Sequence, residues 1–424
     1  MSKLALLGGK PVLGGPLKPY RSTGEEERLA VDAVMRSGNL SGYVGAWCDA
    51  FNGGPVVREF EARFAAIFKS RHAIAVNSNT SGMIAAMGAA GVGPGDEVIV
   101  PPTTMSASAM APLIYGGIPV FVDIEPDTFC LDVGKVRDAI TPRTRAILVV
   151  NIFGQPAALN ELRALADVHG LILIEDNAQG PLATQGDRFA GTIGHIGVFS
   201  LNYHKHIHTG EGGVCCTDDE RLAKRLRMIR NHGENVTEQL ADGDLVNLVG
   251  FNFRITELQA AIGLAQLEKA PALVAEREEI ANTFTSALAD LPGIVPPVVR
   301  RDCRHVYYVW TARFEEERVG VGRDVFAQAL EAEGVPASVG YVAPLYLLPL
   351  FQKRIAIGRD GFPFTLSNRS YGKGLCPVAE RMHEREFLEL HVCSWAFEPD
   401  EVRAVVDAVH KVYEHRRELA TAGV

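Results

Sequence analysis

Long apolar runs are missing from this 424-residue chain. The apolar stretch within Met1 to Lys10 is too short for a signal peptide, and nothing later reaches the length of a membrane span. No membrane association is expected, and a cytoplasmic protein acting on soluble substrates is. Cysteine is sparse and unpatterned: seven residues, with Cys215 and Cys216 adjacent, make neither an even framework nor the paired CxxC spacing of a zinc site. A disulfide-stapled secreted fold is thereby set aside in favour of reduced thiols. Charge is nowhere concentrated. The net charge of -9 is mild for the length and forms no acidic tail, which argues against a dedicated nucleic-acid binder. The densest basic run, Lys224, Arg225, Arg227 and Arg230, shares a helical stretch with Leu222, Leu226 and Ile229 and reads as a solvated helix face. Internal repeats and low-complexity tracts are absent as well.

The chain is longer than one core can serve, so two domains are expected. From Val57 the pattern alternates helices with short apolar strands. Val57 to Phe68 repeats apolar residues at helical spacing, Ala73 to Val76 reads as a strand, Ser81 to Ala90 as a small-residue helix, and Glu97 to Val100 as a strand stopped by Pro101-Pro102. Further strands are predicted at Pro119 to Val122, Ala146 to Val150 and Leu171 to Ile174, with a helix through Leu159, Leu162, Leu165 and Ala166 that ends at Gly170. Strands that are apolar without alternation belong to a sheet covered on both faces, which makes the fold α/β. A second region is predicted from residue 271, with the charged stretch Glu276 to Glu279 as connector, and it closes on an amphipathic helix through Val402, Val405, Val406, Val409 and Val412. The expected division is an N-terminal arm over 1–30, a large domain over 31–270 with a mostly parallel sheet, and a smaller C-terminal α+β domain over 271–424.

Three places carry chemistry. Asn77-Ser78-Asn79-Thr80-Ser81-Gly82 follows a strand and opens a helix, so free backbone N–H groups and hydroxyls collect at the positive end of a helix dipole, where a phosphate binds. Asp176 closes the strand Leu171 to Ile174 at the edge where open α/β sheets place their sites. Lys205 lies five residues beyond Ser200 and is followed by Gly210, Gly212 and Gly213, which let a turn pass close to a bound ring. Taken singly these are a helix cap, a strand-end acid and a loop lysine. Together, an amine that can bond to an aldehyde and a carboxylate that can hold a pyridinium proton are the pair a pyridoxal phosphate site needs.

The motifs Glu175-Asp176-Asn177-Ala178-Gln179, Ser200 to Lys205 with Gly210-Glu211-Gly212-Gly213, and Asn252 to Ala261 resemble those of the DegT/DnrJ/StrS family of sugar aminotransferases. The likeness runs from Gly53-Gly54-Pro55 to the C-terminal helix. It implies an aspartate aminotransferase-like fold type I and pyridoxal 5'-phosphate as cofactor. The amino donor would be an amino acid, Glu or Gln, and the acceptor a keto-sugar, nucleotide-linked keto-sugar or keto-cyclitol. By the same resemblance Lys205 is the covalent anchor and the acid and base of the reaction, Asp176 faces the ring nitrogen, and Gln179 lies near the ring hydroxyl. Thr80, Ser81 and Ser200 hold the phosphate, and Asn252 reaches the phosphate of the neighbouring subunit's cofactor, which requires a homodimer with shared sites. Met105 stands where family members stack an aromatic ring, and its thioether can cover a ring face. Asn151 and Tyr346 replace frequent histidines, which implies an unusual substrate pocket. His204, His206 and His208 alternate around the lysine without a carboxylate or cysteine at suitable spacing, so no metal is expected. Two other readings compete with the aminotransferase. One is a pyridoxamine phosphate-dependent sugar dehydratase, which would carry His at the lysine position; the other is a sugar-sensing regulatory protein without turnover.

Overall fold

A computed structural model describes residues 3–239 and 244–422. Its main feature is a seven-stranded sheet built, in chain order, from β1 (His72–Val76), β2 (Glu97–Val100), β3 (Ile118–Phe121), β4 (Thr144–Val150), β5 (Ile172–Asp176), β6 (Ile196–Ser200) and β7 (Gly213–Thr217). The spatial order is β1-β7-β6-β5-β4-β2-β3. The run from β6 to β3 is parallel, whereas β7 lies antiparallel to both β6 and β1. The central strands are buried along nearly their whole length, as expected for a sheet packed on both faces.

The helices show why these residues fold this way. Pro55–Phe68 starts with proline, whose missing N–H costs nothing there, and presents Phe60, Phe64 and Phe68 at four-residue spacing to the sheet. Phe64 and Phe68 meet Phe199 of β6 at ring-centroid distances of 5.1 and 4.8 Å. The small-residue helix Asn79–Ala89 comes so close to the sheet that a Cβ on Gly82 would lie 2.6 Å from Val198. It is capped by Ser78, whose hydroxyl accepts the Ser81 N–H at 3.0 Å.

A second core surrounds an antiparallel four-stranded sheet in the order Ile294–Val295, Trp310–Phe314, Phe387–Leu390, Ala337–Val339. The helix Pro399–Glu414 covers it with Val402, Val405, Val409 and Val412, and Leu4, Leu13 and Leu17 from the start of the chain join the same core. One helix, Glu257–Leu288, serves both cores: Ala260, Leu267, Ala270 and Val274 belong to the first, and Ile280, Ala281, Phe284 and Leu288 to the second. The expected connector at Glu276 to Glu279 is therefore continuous helix, and the expected division at 270/271 falls inside it, at Pro271.

One sequence expectation is corrected. The basic run lies on the helix Glu220–Arg230, but only part of it is solvated: Lys224 and Arg227 are half-exposed, whereas Arg225 and Arg230 are 4% and 0% exposed. Each is buried because it meets compensating oxygen. Arg230 pairs with Glu61 and donates to the Ala75 carbonyl at 3.0 Å, and Arg225 pairs with Asp244 at 2.9 Å.

Candidate active site

The carboxyl ends of β4, β5 and β6, the N-terminus of the helix Asn79–Ala89 and two tyrosines from the chain's later half enclose a cavity of about 250 Å³. Because the three strands are neighbours in a parallel sheet, Val150, Asp176 and Ser200 arrive at its floor side by side.

Asp176 is buried, and that burial pushes its carboxyl pKa up. It is held by Ser108 Oγ on Oδ2 at 2.9 Å, and on Oδ1 by the Ala178 N–H at 3.2 Å and Asn79 Nδ2 at 3.4 Å. A carboxylate has about four lone-pair sites, so these bonds orient it and leave room for one more donor. Lys205 lines the same cavity; its side-chain amine makes no hydrogen bond or ion pair among the described residues, and Nζ lies 4.2 Å from the centre of the Tyr308 ring. Burial brings its pKa down to about 8, with the charge of Asp176 opposing the fall.

At the phosphate end the structure separates residues the sequence had grouped. Thr80 lines the cavity, as does Ser78, which the sequence had shown only as part of the motif. Ser81 is buried behind them with its hydroxyl 2.9 Å from that of Ser78. Ser200 lines the cavity too, and its hydroxyl accepts the Asn202 N–H at 3.3 Å. Gln179 is fixed at both ends of its amide: Oε1 accepts the Phe153 N–H at 2.6 Å, and Nε2 donates to the Tyr341 hydroxyl at 2.7 Å. Met105 is 64% exposed and lines the cavity, so it is no core residue. Asn252 is exposed and does not line this cavity, and its side-chain oxygen accepts Arg254 Nε at 2.8 Å.

Two departures from the family pattern do not shape the pocket. Asn151 is fully buried, donating to Glu175 and Asn177 and accepting the Ala157 N–H, and Tyr346 is buried against Glu380 and the Cys376 N–H. Neither lines the cavity, which corrects the expectation that they alter it. Both satisfy buried polar groups within the scaffold. The three histidines diverge. His204 lines the cavity, with burial and then Lys205 bringing its pKa down to about 4; His206 is buried on the Val306 carbonyl at 2.8 Å; His208 is half-buried and does not line the cavity. Among the described residues no group of three or more His, Cys, Asp or Glu side chains could hold a metal ion. Tyr308 and Tyr341 were not found from sequence, because they sit in segments without any motif.

The chemistry of this donor set fits pyridoxal phosphate. An uncommitted amine is available for the aldehyde and an oriented carboxylate for the ring nitrogen, while a capped helix N-terminus with hydroxyls faces the phosphate end.

Residues 23–410 match the DegT/DnrJ/EryC1/StrS aminotransferase family. The chain is 37% identical to the GDP-perosamine synthase of Caulobacter vibrioides over 76% of its length and 86% of that protein's. It is 33% identical to the L-glutamine:2-deoxy-scyllo-inosose aminotransferase of Streptomyces kanamyceticus over 99% of both. Among solved structures, DesV of S. venezuelae, crystallised with a ketimine intermediate, superposes with a TM-score of 0.78 at 34% identity, covering 92% of this chain and 95% of that one. The chain therefore belongs to the DegT/DnrJ/EryC1/StrS aminotransferase family and is a pyridoxal phosphate-dependent aminotransferase of fold type I.

Proposed function

We propose that this enzyme moves an amino group from an amino acid, Glu or Gln, to the ketone of a sugar, a nucleotide-linked sugar or a cyclitol. The observation that carries the reading is the Lys205 amine, uncommitted and depressed in pKa, in one cavity with the oriented Asp176 carboxylate. The relatives' names supply the acceptor class: one makes GDP-perosamine and another aminates a keto-cyclitol with L-glutamine.

When bound, the cofactor supplies the carbonyl that accepts the amino group and a ring that withdraws electrons from the substrate carbon. The chain's residues do the rest. Lys205 Nζ anchors the cofactor and then moves the proton off and onto the reacting carbon, which an amine titrating near neutrality can do in both directions. Asp176 keeps the ring nitrogen protonated, and Gln179 lies on the ring-hydroxyl side. Thr80, Ser81 and Ser200 hold the phosphate end, Ser81 by fixing Ser78 and the helix N-terminus. Met105 covers one ring face. The working unit is a homodimer in which Asn252 completes the neighbour's phosphate site, a role supported by its exposure and its place outside its own cavity. All seven cysteines are free, and no helix among the described residues is long and apolar enough to cross a membrane. Both facts support work in the cytoplasm.

The test is spectroscopic. Purified enzyme treated with Glu or Gln should lose its pyridoxal absorbance, and a keto-sugar or keto-cyclitol that is the true acceptor should restore it. Absorbance unmoved by any amino acid would overturn the transamination reading.

A further inference from the structure

Two residues of the cavity wall, Gln179 and Tyr341, and Phe153 buried behind them adopt an unusual joint arrangement. Phe153 and Tyr341 are both non-glycine residues with left-handed backbones, at φ +57° and +50°. Such conformations are costly and persist where the surroundings enforce them, often at functional sites. Here the two hold opposite ends of one side chain, since the Phe153 N–H donates to Gln179 Oε1 and the Tyr341 hydroxyl accepts from Gln179 Nε2. Their rings also meet edge to face, with centroids 4.8 Å apart.

The hydrogen bonds leave a definite remainder. Tyr341 uses its hydroxyl oxygen as an acceptor toward Gln179, so its own O–H proton has no acceptor among the described residues. Gln179 Nε2 has a second N–H beyond the one given to Tyr341, and it too has no acceptor among the described residues. Both side chains line the cavity that holds Lys205 and Asp176. Burial raises the Tyr341 pKa, which keeps the phenol protonated and a donor throughout the working pH range.

We propose that Tyr341 Oη and Gln179 Nε2 form a two-donor cradle for the anionic oxygen on the cofactor ring, with Tyr341 as a second ring-oxygen contact beside Gln179. Two preorganised donors stabilise an oxyanion strongly in a site shielded from water. The left-handed turns at Phe153 and Tyr341 fix both donors before the ligand arrives, so none of its binding free energy goes into ordering them. This inference rests on the pyridoxal phosphate reading of the site.

The experiment is equilibrium binding of two ligands to cofactor-free protein: pyridoxal phosphate, and its 3-deoxy analogue in which hydrogen replaces the ring oxygen. Wild type should bind the parent at least about tenfold more tightly, the order expected when hydrogen bonds to a charged group are lost. Tyr341→Phe keeps the ring packed on Phe153 and removes the hydroxyl, that is, the O–H donor together with the oxygen that accepts Gln179 Nε2. It should narrow the ratio several-fold, with the loss confined to the ligand that has the oxygen. Tyr341→Leu gives the same comparison if the Phe variant does not fold. Equal binding of both ligands by wild type, an unchanged ratio in the variants, or an equal loss for both ligands would overturn the cradle. Failure of the function reading looks different: borohydride would then fix neither ligand to Lys205.

Discussion

Burial makes Lys205 easier to deprotonate than a surface lysine, and the nearby carboxylate works against that. In cofactor-free protein its amine should acylate with a pH midpoint of about 8, against the ordinary 10.5, so reactivity rises through the slightly alkaline range. Asp176→Asn removes the charge that favours the ammonium form, and the midpoint should fall further; competitive labelling followed by peptide mapping measures both. A midpoint near that of surface lysines would show that Lys205 is not desolvated as described. The same Asn variant should keep the cofactor through its phosphate contacts but turn over about 100-fold slower, as befits the loss of a buried charge partner of about 3 kcal/mol. At this scale motifs led to Lys205, Asp176, Gln179, Thr80, Ser200 and Met105, which all line one cavity, whereas Ser81 and Asn252, framed by motifs too, do not line it. The sequence was silent on Tyr308 and Tyr341, which have no motif and reach the cavity only by tertiary folding. It also misjudged Arg225 and Arg230, because a basic helix face looks the same in sequence whether water or a carboxylate from another part of the chain faces it.

Among the elements, the apolar strands were legible because a sheet covered on both faces writes unbroken hydrophobic runs. The length of Glu257–Leu288 was not, since Pro271 and a charged stretch read as a break whereas packing on two cores sustains the helix. This helix also receives the N-terminal arm. Gln266 Oε1 accepts Ser22 Oγ at 3.0 Å and the His208 N–H at 3.2 Å, while Gln266 Nε2 donates to Glu27 at 2.7 Å. The arm is thereby tied to the loop that carries Lys205. Burial tends to raise the Glu27 carboxyl pKa, but Lys269, the Gly24 N–H and Gln266 outweigh it and hold the pKa at about 2. A depressed carboxyl contributes stability that is complete above its unfolded value of 4.5 and is lost as pH falls through about 2. Amide-exchange protection over residues 18–37, corrected for intrinsic rates, should therefore decline across that window. In Glu27→Gln the decline should vanish; a variant that still follows the wild-type curve would place the acid sensitivity elsewhere.

For the whole molecule, the cavity of one chain lacks Asn252, and large apolar side chains are exposed: Met105 at the cavity itself, and Leu40, Val44 and Trp47 on the loop before the helix Pro55–Phe68. Apolar surface of this kind is expected to be covered by a second copy. Lys205→Ala and Asn252→Ala should each be nearly inactive, yet mixing them should restore activity, because one site of the heterodimer then has both residues. The mixture should reach up to about a quarter of wild-type activity, since half the dimers are mixed and each has one good site. Mixtures as inactive as their parents after verified subunit exchange would show that Asn252 serves its own chain.

The helix Glu257–Leu288 also makes a lever. Proline has no N–H to give the preceding turn, so Pro271 is where this rod bends most easily. From there to Leu288 the rise is roughly 26 Å, and a bend of about 5° would swing the far end by about 2 Å. The second core rides on that end and includes Tyr307 and Val339, chain neighbours of Tyr308 and Tyr341, which wall the cavity while packing on the first core. A few degrees at one residue would thus move the segments that lead into the cavity wall, and the fulcrum is a proline, a residue with no reactive group.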